Sequence, residues 1–471
     1  MYTIFPEISA TRYMYCRYDW RSIWREAMAE LRRWHDDLSR KPMVVSGVRQ
    51  CGKTYLLKEF GSEAYEDVLY VDLERSKNAC KVFDRDLDPS RILEDLSAVF
   101  GTTTKPGSTL VILDEIQSCP AAIASLKHFC EEMRDLHIVG AGSLPGAENA
   151  SYPVGKVDRL VMRPMNFREW LVANGRSMLY ERADEEYPNV SDALLGELNE
   201  EYRRYLFVGG MPEAVQTWID THDESAVAKV QDGILNSYAA DFLKRVPNDM
   251  AMKVHRVWTS IPVQLAKENG RFYYSSVEAS GRGRGLDDAV SWLESANLVH
   301  RVVCTEKPSI PLAASADASR FKLYVCDCGL LSRMSDARLA AYLYDSLDDA
   351  TDSSYRGAVA ENYVLNEIVS SFGREPFYWR DGKYEVDFLI QTGHGAAPIE
   401  VKSGTKVRAT SLKFYIDRFS PEKAIVLSRN PPKEGTATSI PTCMAWKLKD
   451  VAEGTENGTA AAPDDSRIVQ N

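Results

Sequence analysis

The stretch GVRQCGKT, from Gly47 to Thr54, has the full pattern of a phosphate-binding loop, G-x-x-x-x-G-K-[ST]. Its glycines allow a turn tight enough for backbone N–H groups to surround phosphate oxygens, while the lysine reaches the β- and γ-phosphates and the threonine hydroxyl ligates Mg²⁺. The strand-like MVVSG precedes the loop and the helical YLLKEF follows it. A glycine-rich turn without a ligand is the alternative. We expect ATP and Mg²⁺ to bind through Gly47, Val48, Arg49, Gln50, Cys51, Gly52, Lys53 and Thr54.

A second polar group ends an apolar strand, TLVILDEIQ, about sixty residues after the loop. There Asp114 can hold Mg²⁺ through water, and Glu115 can polarise the attacking water. The pattern is weak alone, but after a phosphate-binding loop it predicts a site that hydrolyses ATP, with Glu115 as a catalytic residue. Ser143, at the end of the strand HIVGAGS, is expected to contact the γ-phosphate; a turn serine without a ligand is the alternative.

A third group lies near the C-terminus, where Asp387, Glu400 and Lys402 have the spacing D-x₁₂-E-x-K. Side chains alternate along a strand, so Glu400 and Lys402 share a face, and the turn-like QTGHGAA makes YEVDFLI the hairpin neighbour that brings Asp387 beside them. Two carboxylates can hold Mg²⁺, which activates water and neutralises a scissile phosphate, and a lysine stabilises transition-state charge. We therefore predict these three residues as catalytic. A solvated strand face with the same spacing is the alternative.

Glu361, in GAVAENYVLNEIVSSF, falls on one helical stripe with Leu365, Ile368 and Phe372. A carboxylate among apolar side chains is costly unless it is paired or bound to a metal. A capping or salt-bridged glutamate is the alternative. We predict the metal ligands to be Thr54 and Asp114 at the first site, and Glu361, Asp387 and Glu400 at the second.

The elements that must position these groups begin with a predicted helix at 18–40, with Trp20, Ile23, Trp24 and Met28 on one stripe. Up to about residue 165, apolar strands alternate with helical stretches, which predicts a mainly parallel sheet covered by helices on both faces. Residues 166–245 are predicted to be largely helical around the turn VGGMP.

Several of these stretches together resemble a large bacterial and archaeal family of AAA-type ATP-binding proteins with a C-terminal domain of unknown function. The similarity extends over roughly 18–445 and rests on SGVRQCGKTYLLKEF, DEIQSCP, GAGSLPG, PVGKVDRLVMRPMNFREWL, YLFVGGMPEAV, FKLYVCDCGLL and GAVAENYVLNEIV. Gly47, Lys53, Thr54, Asp114 and Glu115 match the family's nucleotide motifs. In the nuclease-like fold that the resemblance implies, an acidic residue of the first helix completes the metal site, at the position of Glu361.

The resemblance implies an α/β fold class: a P-loop NTPase core of AAA type, a helical lid, a winged-helix-like element and a restriction-endonuclease-like C-terminal domain. We expect an N-terminal helical segment at 1–40, the ATPase core at 41–165, the lid at 166–250, the winged-helix-like element and a connector at 251–350, the nuclease-like domain at 351–450 and a disordered tail at 451–471.

Two assignments stay open within this resemblance. Many relatives have Gly-Arg where this chain has Gly155-Lys156, so the arginine finger is unassigned, with Arg159 and Arg163 as candidates. In the winged-helix-like element Arg271, Arg282 and Arg284 are placed to contact phosphates. The neighbouring helix carries Asp287, Asp288 and Glu294, however, which favours a packing or subunit-contact role over DNA binding.

The composition excludes several classes of protein. A net charge of −11 argues against a protein that coats nucleic acid non-specifically, and no run of eighteen apolar residues predicts a membrane span. The start lacks the features of a secretory signal, and the nine cysteines contain no C-x-x-C pair, as expected in a reducing cytosol. We expect a cytoplasmic protein that binds ATP, with DNA and a second copy of itself as further partners and no membrane.

Two hypotheses of function follow. In the first, ATP turnover gates a Mg²⁺-dependent cut in nucleic acid made by Asp387, Glu400 and Lys402. In the second, the ATPase is a regulatory switch or scaffold, and its nuclease-like module binds a partner or nucleic acid without cleaving it.

Overall fold

The computed structural model describes residues 24–143, 152–267, 270–278, 284–339, 342, 353–405 and 408–454. The predictions for Trp20, Ile23, Arg282 and the tail from residue 455 onward lie outside these ranges. Among the described helices, none is long and apolar enough to cross a membrane.

The N-terminal part contains a five-stranded, all-parallel sheet in the order β2-β3-β4-β1-β5. The strands are β1 Met43–Gly47, β2 Asp67–Asp72, β3 Thr109–Asp114, β4 His137–Gly142 and β5 Asp158–Met162. Helices α1 Glu26–Asp36, α2 Lys53–Ala64, α3 Lys77–Val82, α4 Pro89–Phe100 and α5 Pro120–Glu132 accompany it, with a 3₁₀ turn at Ile116–Ser118. β3 is buried along its whole length, which confirms the predicted parallel sheet with both faces covered.

The parallel arrangement determines where the predicted nucleotide residues lie. The carboxyl ends of β1, β3 and β4 meet at one edge of the sheet, which brings the phosphate-binding loop, Asp114 and Ser143 together. Ligands of open α/β sheets bind outside this edge.

Residues 166–245 are mostly helical, as predicted, and helices continue to residue 295 in the region expected to be winged-helix-like. The helices are α6 Phe167–Ala173, α7 Ser177–Glu186, α8 Asp192–Val208, α9 Pro212–Thr221, α10 Glu224–Arg245, α11 Asn248–Leu265, α12 Tyr274–Val277 and α13 Arg284–Ser295. The predicted turn in VGGMP separates α8 from α9, and its tightness requires glycine. A Cβ on Gly210 would lie 1.9 Å from the Met165 carbonyl oxygen.

The C-terminal part is built on a seven-stranded mixed sheet in the order β12-β11-β10-β9-β8-β6-β7. Its strands are β6 Val299–Thr305, β7 Ala316–Val325, β8 Phe377–Asp381, β9 Tyr384–Thr392, β10 Gly395–Val401, β11 Ile425–Ser428 and β12 Thr438–Pro441. Its helices are α14 Cys328–Met334, α15 Ser353–Phe372, α16 Thr410–Phe419 and α17 Leu448–Glu453, with 3₁₀ turns at Leu312–Ser315 and Thr442–Lys447.

Two details bear on the predicted domain limits. β6 pairs in parallel with β8, so the hairpin of β6 and β7, assigned from the sequence to the winged-helix-like element, continues the C-terminal sheet across the expected boundary at 350. At the other end, α17 continues to Glu453, a few residues past the expected start of the tail at 451.

Buried polar contacts join the helical lid to the C-terminal part. The Asp327 carboxylate, which caps α14, accepts hydrogen bonds from Leu330 N at 2.8 Å and from Gly210 N in the lid at 2.6 Å. In α15, the Glu367 carboxylate accepts from Phe167 N, at the start of α6, at 2.9 Å. Burial raises the pKa of Asp327 to about 6 and that of Glu367 to about 7. The helical lid and the C-terminal part are therefore joined through specific hydrogen bonds.

Candidate functional site

The phosphate-binding loop has the backbone geometry that its glycines predict. Gly47 has φ +147°, and a Cβ there would lie 2.1 Å from the Met162 carbonyl oxygen of β5. Gly52 has φ +92° and precedes α2, whose first turn has no side-chain cap. The start of this helix and the positive end of its dipole therefore favour a bound phosphate.

Lys53 and Thr54 point to different parts of this edge. The buried Lys53 ammonium donates to the loop's own carbonyl oxygens, Gly47 O at 3.0 Å and Val48 O at 2.8 Å. The Thr54 hydroxyl donates to Asp114 Oδ2 at 2.7 Å. A hydroxyl and a carboxylate in contact beside a glycine cradle are the donor set that holds Mg²⁺ with a nucleoside triphosphate, so these residues fit that ligand.

Glu115 lies one residue beyond Asp114 in a left-handed conformation, with φ +50°. Its carboxylate accepts a hydrogen bond from Gln117 Nε2 and forms an ion pair with the Arg245 guanidinium at 3.5 Å. Arg245 also donates to Ser143 Oγ at 3.0 Å. The guanidinium thus joins the predicted catalytic carboxylate to the predicted γ-phosphate contact.

Arg245 reaches this position because α10 lies across the loop. Arg49 pairs with Asp241 at 2.6 Å, and the Tyr238 hydroxyl donates to the Arg49 carbonyl oxygen at 2.9 Å. On the other side, the buried Arg25 donates to the Cys51 carbonyl oxygen at 2.9 Å. The loop is therefore held between the first helical segment and α10.

Sequence reasoning did not find Arg245, Arg25 or Tyr70, whose hydroxyl donates to Asp114 Oδ2 at 2.9 Å. Local spacing gives no signal for them, because they come from distant segments or from a strand without a motif. The arginine-finger candidates lie elsewhere: Arg159 stacks on the Tyr152 ring at 4.5 Å, and Arg163 lines a cavity of about 160 Å³. Their assignment stays a prediction.

The C-terminal group is brought together by the predicted hairpin. β9 and β10 are antiparallel, with Phe388 opposite Ile399. The Asp387 carboxylate accepts from Val401 N at 2.8 Å, and Lys402 Nζ lies 2.6 Å from Glu400 Oε1. Asp387, Glu400 and Lys402 thus face one another as the D-x₁₂-E-x-K spacing predicts.

The electrostatics of this hairpin are those of a site that favours a cation. Burial raises the pKa of Asp387, and the neighbouring carboxylates of Glu400 and Glu361 raise it further. Glu400 is 4% exposed, and its second oxygen, Oε2, is buried without a hydrogen-bond partner. An orphaned carboxylate oxygen next to a second carboxylate fits a divalent cation, which would relieve both costs.

Glu361 is held by other side chains in the structure. Its Oε2 accepts from the Tyr324 hydroxyl at 2.8 Å and lies 3.5 Å from Lys322 Nζ. Across the described ranges, no group of three or more His, Cys, Asp and Glu side chains is arranged to hold a metal ion. The role of Glu361 as a third metal ligand stays a prediction. The salt bridge that was the alternative is present, with Lys322.

The helix α15 also differs from the amphipathic helix that the stripe of Glu361 suggested. Asn362 and Glu367, on other faces of the same helix, are fully buried, so α15 is covered nearly all round. Asn362 bonds to both polar groups of the Val325 backbone, N at 2.8 Å and O at 2.9 Å. Asn362 therefore attaches this helix to β7, whereas Glu367 attaches it to α6.

In the winged-helix-like region the acidic residues of α13 have intramolecular partners. Arg301 of β6 pairs with Asp287 at 3.1 Å and with Glu294 at 2.7 Å. This agrees with the preference for a packing role that the sequence suggested.

Three sections of the chain match known protein families. Residues 39–171 match the family described as an AAA domain. Residues 199–340 and 356–442 match two families described as domains of unknown function, DUF8612 and DUF4143. No curated protein matches the chain significantly.

Solved structures give a weaker likeness. The Walker-type ATPase PABY2304 of Pyrococcus abyssi is 14% identical with a TM-score of 0.42, and the alignment covers 66% of this chain and 96% of that one. The Orc1 protein of Aeropyrum pernix in complex with DNA is 15% identical, with a TM-score of 0.29 and coverage of 68% and 95%. AMPPCP-bound DnaA from Aquifex aeolicus is 12% identical, with a TM-score of 0.22 and coverage of 56% and 75%. TM-scores this low support no functional assignment.

The family match and the sheet lead to one plain conclusion. Residues 39–171 match an AAA domain, and their parallel sheet carries the phosphate-binding loop and Asp114 at the same edge.

Proposed function

We propose that the AAA-type domain binds ATP with Mg²⁺ and hydrolyses it. The observation that carries this proposal is the contact of the Thr54 hydroxyl with Asp114 beside an uncapped helix N-terminus and a glycine cradle. Bound Mg²⁺ supplies charge neutralisation at the β- and γ-phosphates, and Thr54 and Asp114 are the residues that would hold it.

The side chains of the chain then have separate roles. Lys53 exchanges the carbonyl oxygens of Gly47 and Val48 for phosphate oxygens. Glu115 orients the attacking water and accepts its proton. Arg245, placed between Glu115 and Ser143, contacts the γ-phosphate from the lid and stabilises the charge that develops there.

ATP binding and phosphate release by wild type and by Lys53→Met test this proposal. We expect the variant to lose ATP binding, because the other cation of the loop, Arg49, is paired with Asp241. Lys77→Met changes an exposed lysine of α3 and serves as the matched control. Normal turnover by Lys53→Met would refute the proposal.

A second function is proposed for the C-terminal module: cleavage of a phosphodiester in nucleic acid with one divalent cation held by Asp387 and Glu400. The orphaned Oε2 of Glu400 supports it, because a buried carboxylate oxygen without a partner favours a cation. Lys402, 2.6 Å from Glu400, is placed to stabilise charge on the phosphate.

Nicking of supercoiled plasmid DNA in the presence of Mg²⁺ or Mn²⁺ tests this second function. Wild type should nick the plasmid, Asp387→Asn should not, and Asp417→Asn, on the exposed face of α16, should behave as wild type. If wild type and Asp387→Asn give the same background with either metal, cleavage is refuted. Nucleotide-dependent association with nucleic acid or a protein, without cleavage, would then identify the module as a binding scaffold.

A further inference from the structure

Lys322 of β7 is a charged residue in the middle of a buried strand. Its side chain is 2% exposed, and its neighbours in the sequence, Phe321 and Leu323, are buried apolar residues. Its ammonium lies 2.8 Å from Glu385 Oε1 and 3.5 Å from Glu361 Oε2. A lysine that is buried among carboxylates is a costly arrangement that requires a reason.

The Lys322 ammonium is paired on both sides, by Glu385 and by Glu361. The ammonium is therefore a resident cation beside the hairpin that carries Asp387 and Glu400.

The contacts of Lys322 divide the four carboxylates into two pairs. Glu361 and Glu385 have donors: Tyr324 and Lys322 for the first, Lys322 and Arg380 for the second. Asp387 and Glu400 form the other pair: Asp387 accepts from Val401 N and Glu400 Oε1 from Lys402, whereas Glu400 Oε2 has no hydrogen-bond partner. Two-metal phosphodiesterase sites place ions about 3.5–4 Å apart and need enough free carboxylate oxygens for both.

We propose that the Lys322 ammonium takes the place of a second divalent cation, so that the C-terminal site admits one metal ion and excludes another. This proposal deepens the proposed metal site and rests on it. Lys322 is a positioning residue: it holds Glu361 and Glu385 by hydrogen bonds and leaves Asp387 and Glu400 as the pair for the metal.

Mn²⁺ binding to the full chain without nucleotide, followed by electron paramagnetic resonance, tests the proposal. We expect wild type to show no spin-coupled Mn²⁺ pair. We expect Lys322→Met to bind one more Mn²⁺ per chain than wild type and to show coupling between two ions. Other Mn²⁺ sites, including the nucleotide site, contribute equally to both proteins and cancel in this difference.

A double variant serves as the control, because Lys322→Met removes the ammonium that pairs with Glu361 and Glu385 and lowers stability. Lys322→Met/Glu361→Gln removes a positive and a negative group together and should not gain the extra ion, because one of the two receiving carboxylates is absent. The wild-type spectrum needs no variant to fold: a coupled Mn²⁺ pair in wild type overturns the proposal. A folded Lys322→Met that binds no more Mn²⁺ than wild type also overturns it.

The outcomes separate this inference from the proposed metal site. If wild type binds no Mn²⁺ that depends on Asp387, yet Lys322→Met gains an ion, the metal site of the natural chain is refuted and the role of Lys322 stands. If wild type binds one such ion and Lys322→Met binds the same number, the metal site stands and the role of Lys322 is refuted.

Discussion

The two candidate sites each contain a buried lysine, and the partners of the two lysines differ in kind. Lys53 is held by two backbone carbonyl oxygens of its own loop, at 3.0 and 2.8 Å. Lys322 is held by the carboxylates of Glu385 and Glu361, at 2.8 and 3.5 Å. A neutral carbonyl is a weak partner that a phosphate readily replaces, whereas a buried carboxylate is a strong one.

The difference shows how a fold can use one residue type for two purposes. At the candidate nucleotide site the lysine donates to carbonyl oxygens that a phosphate can replace, and Gly47 and Gly52 allow the positive-φ turn of the loop. At the C-terminal site Lys322 is part of the protein's own charge balance. A lysine close to carboxylates is therefore not by itself a sign of a phosphate site; its partners have to be identified.

The largest expected effect concerns the stability contributed by each lysine. Lys322→Met should lower the free energy of unfolding in metal-free buffer by about 3–5 kcal/mol, because it removes the buried ammonium that pairs with both Glu361 and Glu385. Lys53→Met should lower it by only about 1–2 kcal/mol, because two hydrogen bonds to carbonyl oxygens are lost. Urea unfolding in EDTA measures both values. Equal losses of unfolding free energy in the two variants would contradict the expected difference between the two lysines.

Arg245→Ala tests the contacts that α10 makes with Glu115 and Ser143. Removing the guanidinium takes away a positive charge beside Glu115 and Ser143, and we expect the ATP hydrolysis rate to fall by about 10- to 100-fold. Steady-state phosphate release with saturating ATP is the measurement. Arg256→Ala, a half-exposed arginine of α11, is the control. An unchanged rate in Arg245→Ala would show that the contact is only structural.

A smaller effect is expected at Glu367, where a carboxylate of the C-terminal part meets the start of α6. The pKa of this group is about 7 in the fold, against 4.5 for an ordinary glutamate. Between these values the folded state binds more protons than the unfolded state, so the contribution to stability is complete below about pH 4.5 and is lost as the pH rises to about 7. Glu367→Gln keeps an oxygen for Phe167 N and removes the titration.

Urea unfolding of wild type and Glu367→Gln at pH 5 and pH 8 measures this contribution. Wild type should lose on the order of 1–3 kcal/mol relative to the variant on going from the lower to the higher pH. Glu66→Gln, at an exposed position, should follow wild type. Identical pH profiles for wild type and Glu367→Gln would contradict the expected titration.

The sequence predicted the parts of both sites that depend on neighbouring residues. The loop from Gly47 to Thr54 follows from strict motif spacing. The proximity of Asp387 and Glu400 follows from strand alternation in a hairpin. Both signals depend only on residues that are close together in the sequence. The contacts of Arg245 with Glu115 and of Lys322 with Glu361 could not be predicted in this way, because they join residues far apart in the chain and depend on how helices and sheets pack.

One signal for Lys322 was nevertheless present. In FKLYVC a lysine interrupts a short apolar strand, as Glu361 interrupts its helix, and the two residues pair in the structure. The sequence left the partner of Glu361 open between a metal and a salt bridge. The structure supplies a lysine and a tyrosine hydroxyl as its partners.

The hydrolysis of ATP by the full chain, compared between wild type and Glu115→Gln, tests the central claim most directly. ATP binding and phosphate release should be measured on the same preparations. The account predicts that Glu115→Gln binds ATP as wild type does and releases phosphate at least about 100-fold more slowly, because the loop that binds ATP is intact and the group that activates water is lost. Equal rates of phosphate release in the two proteins would contradict it.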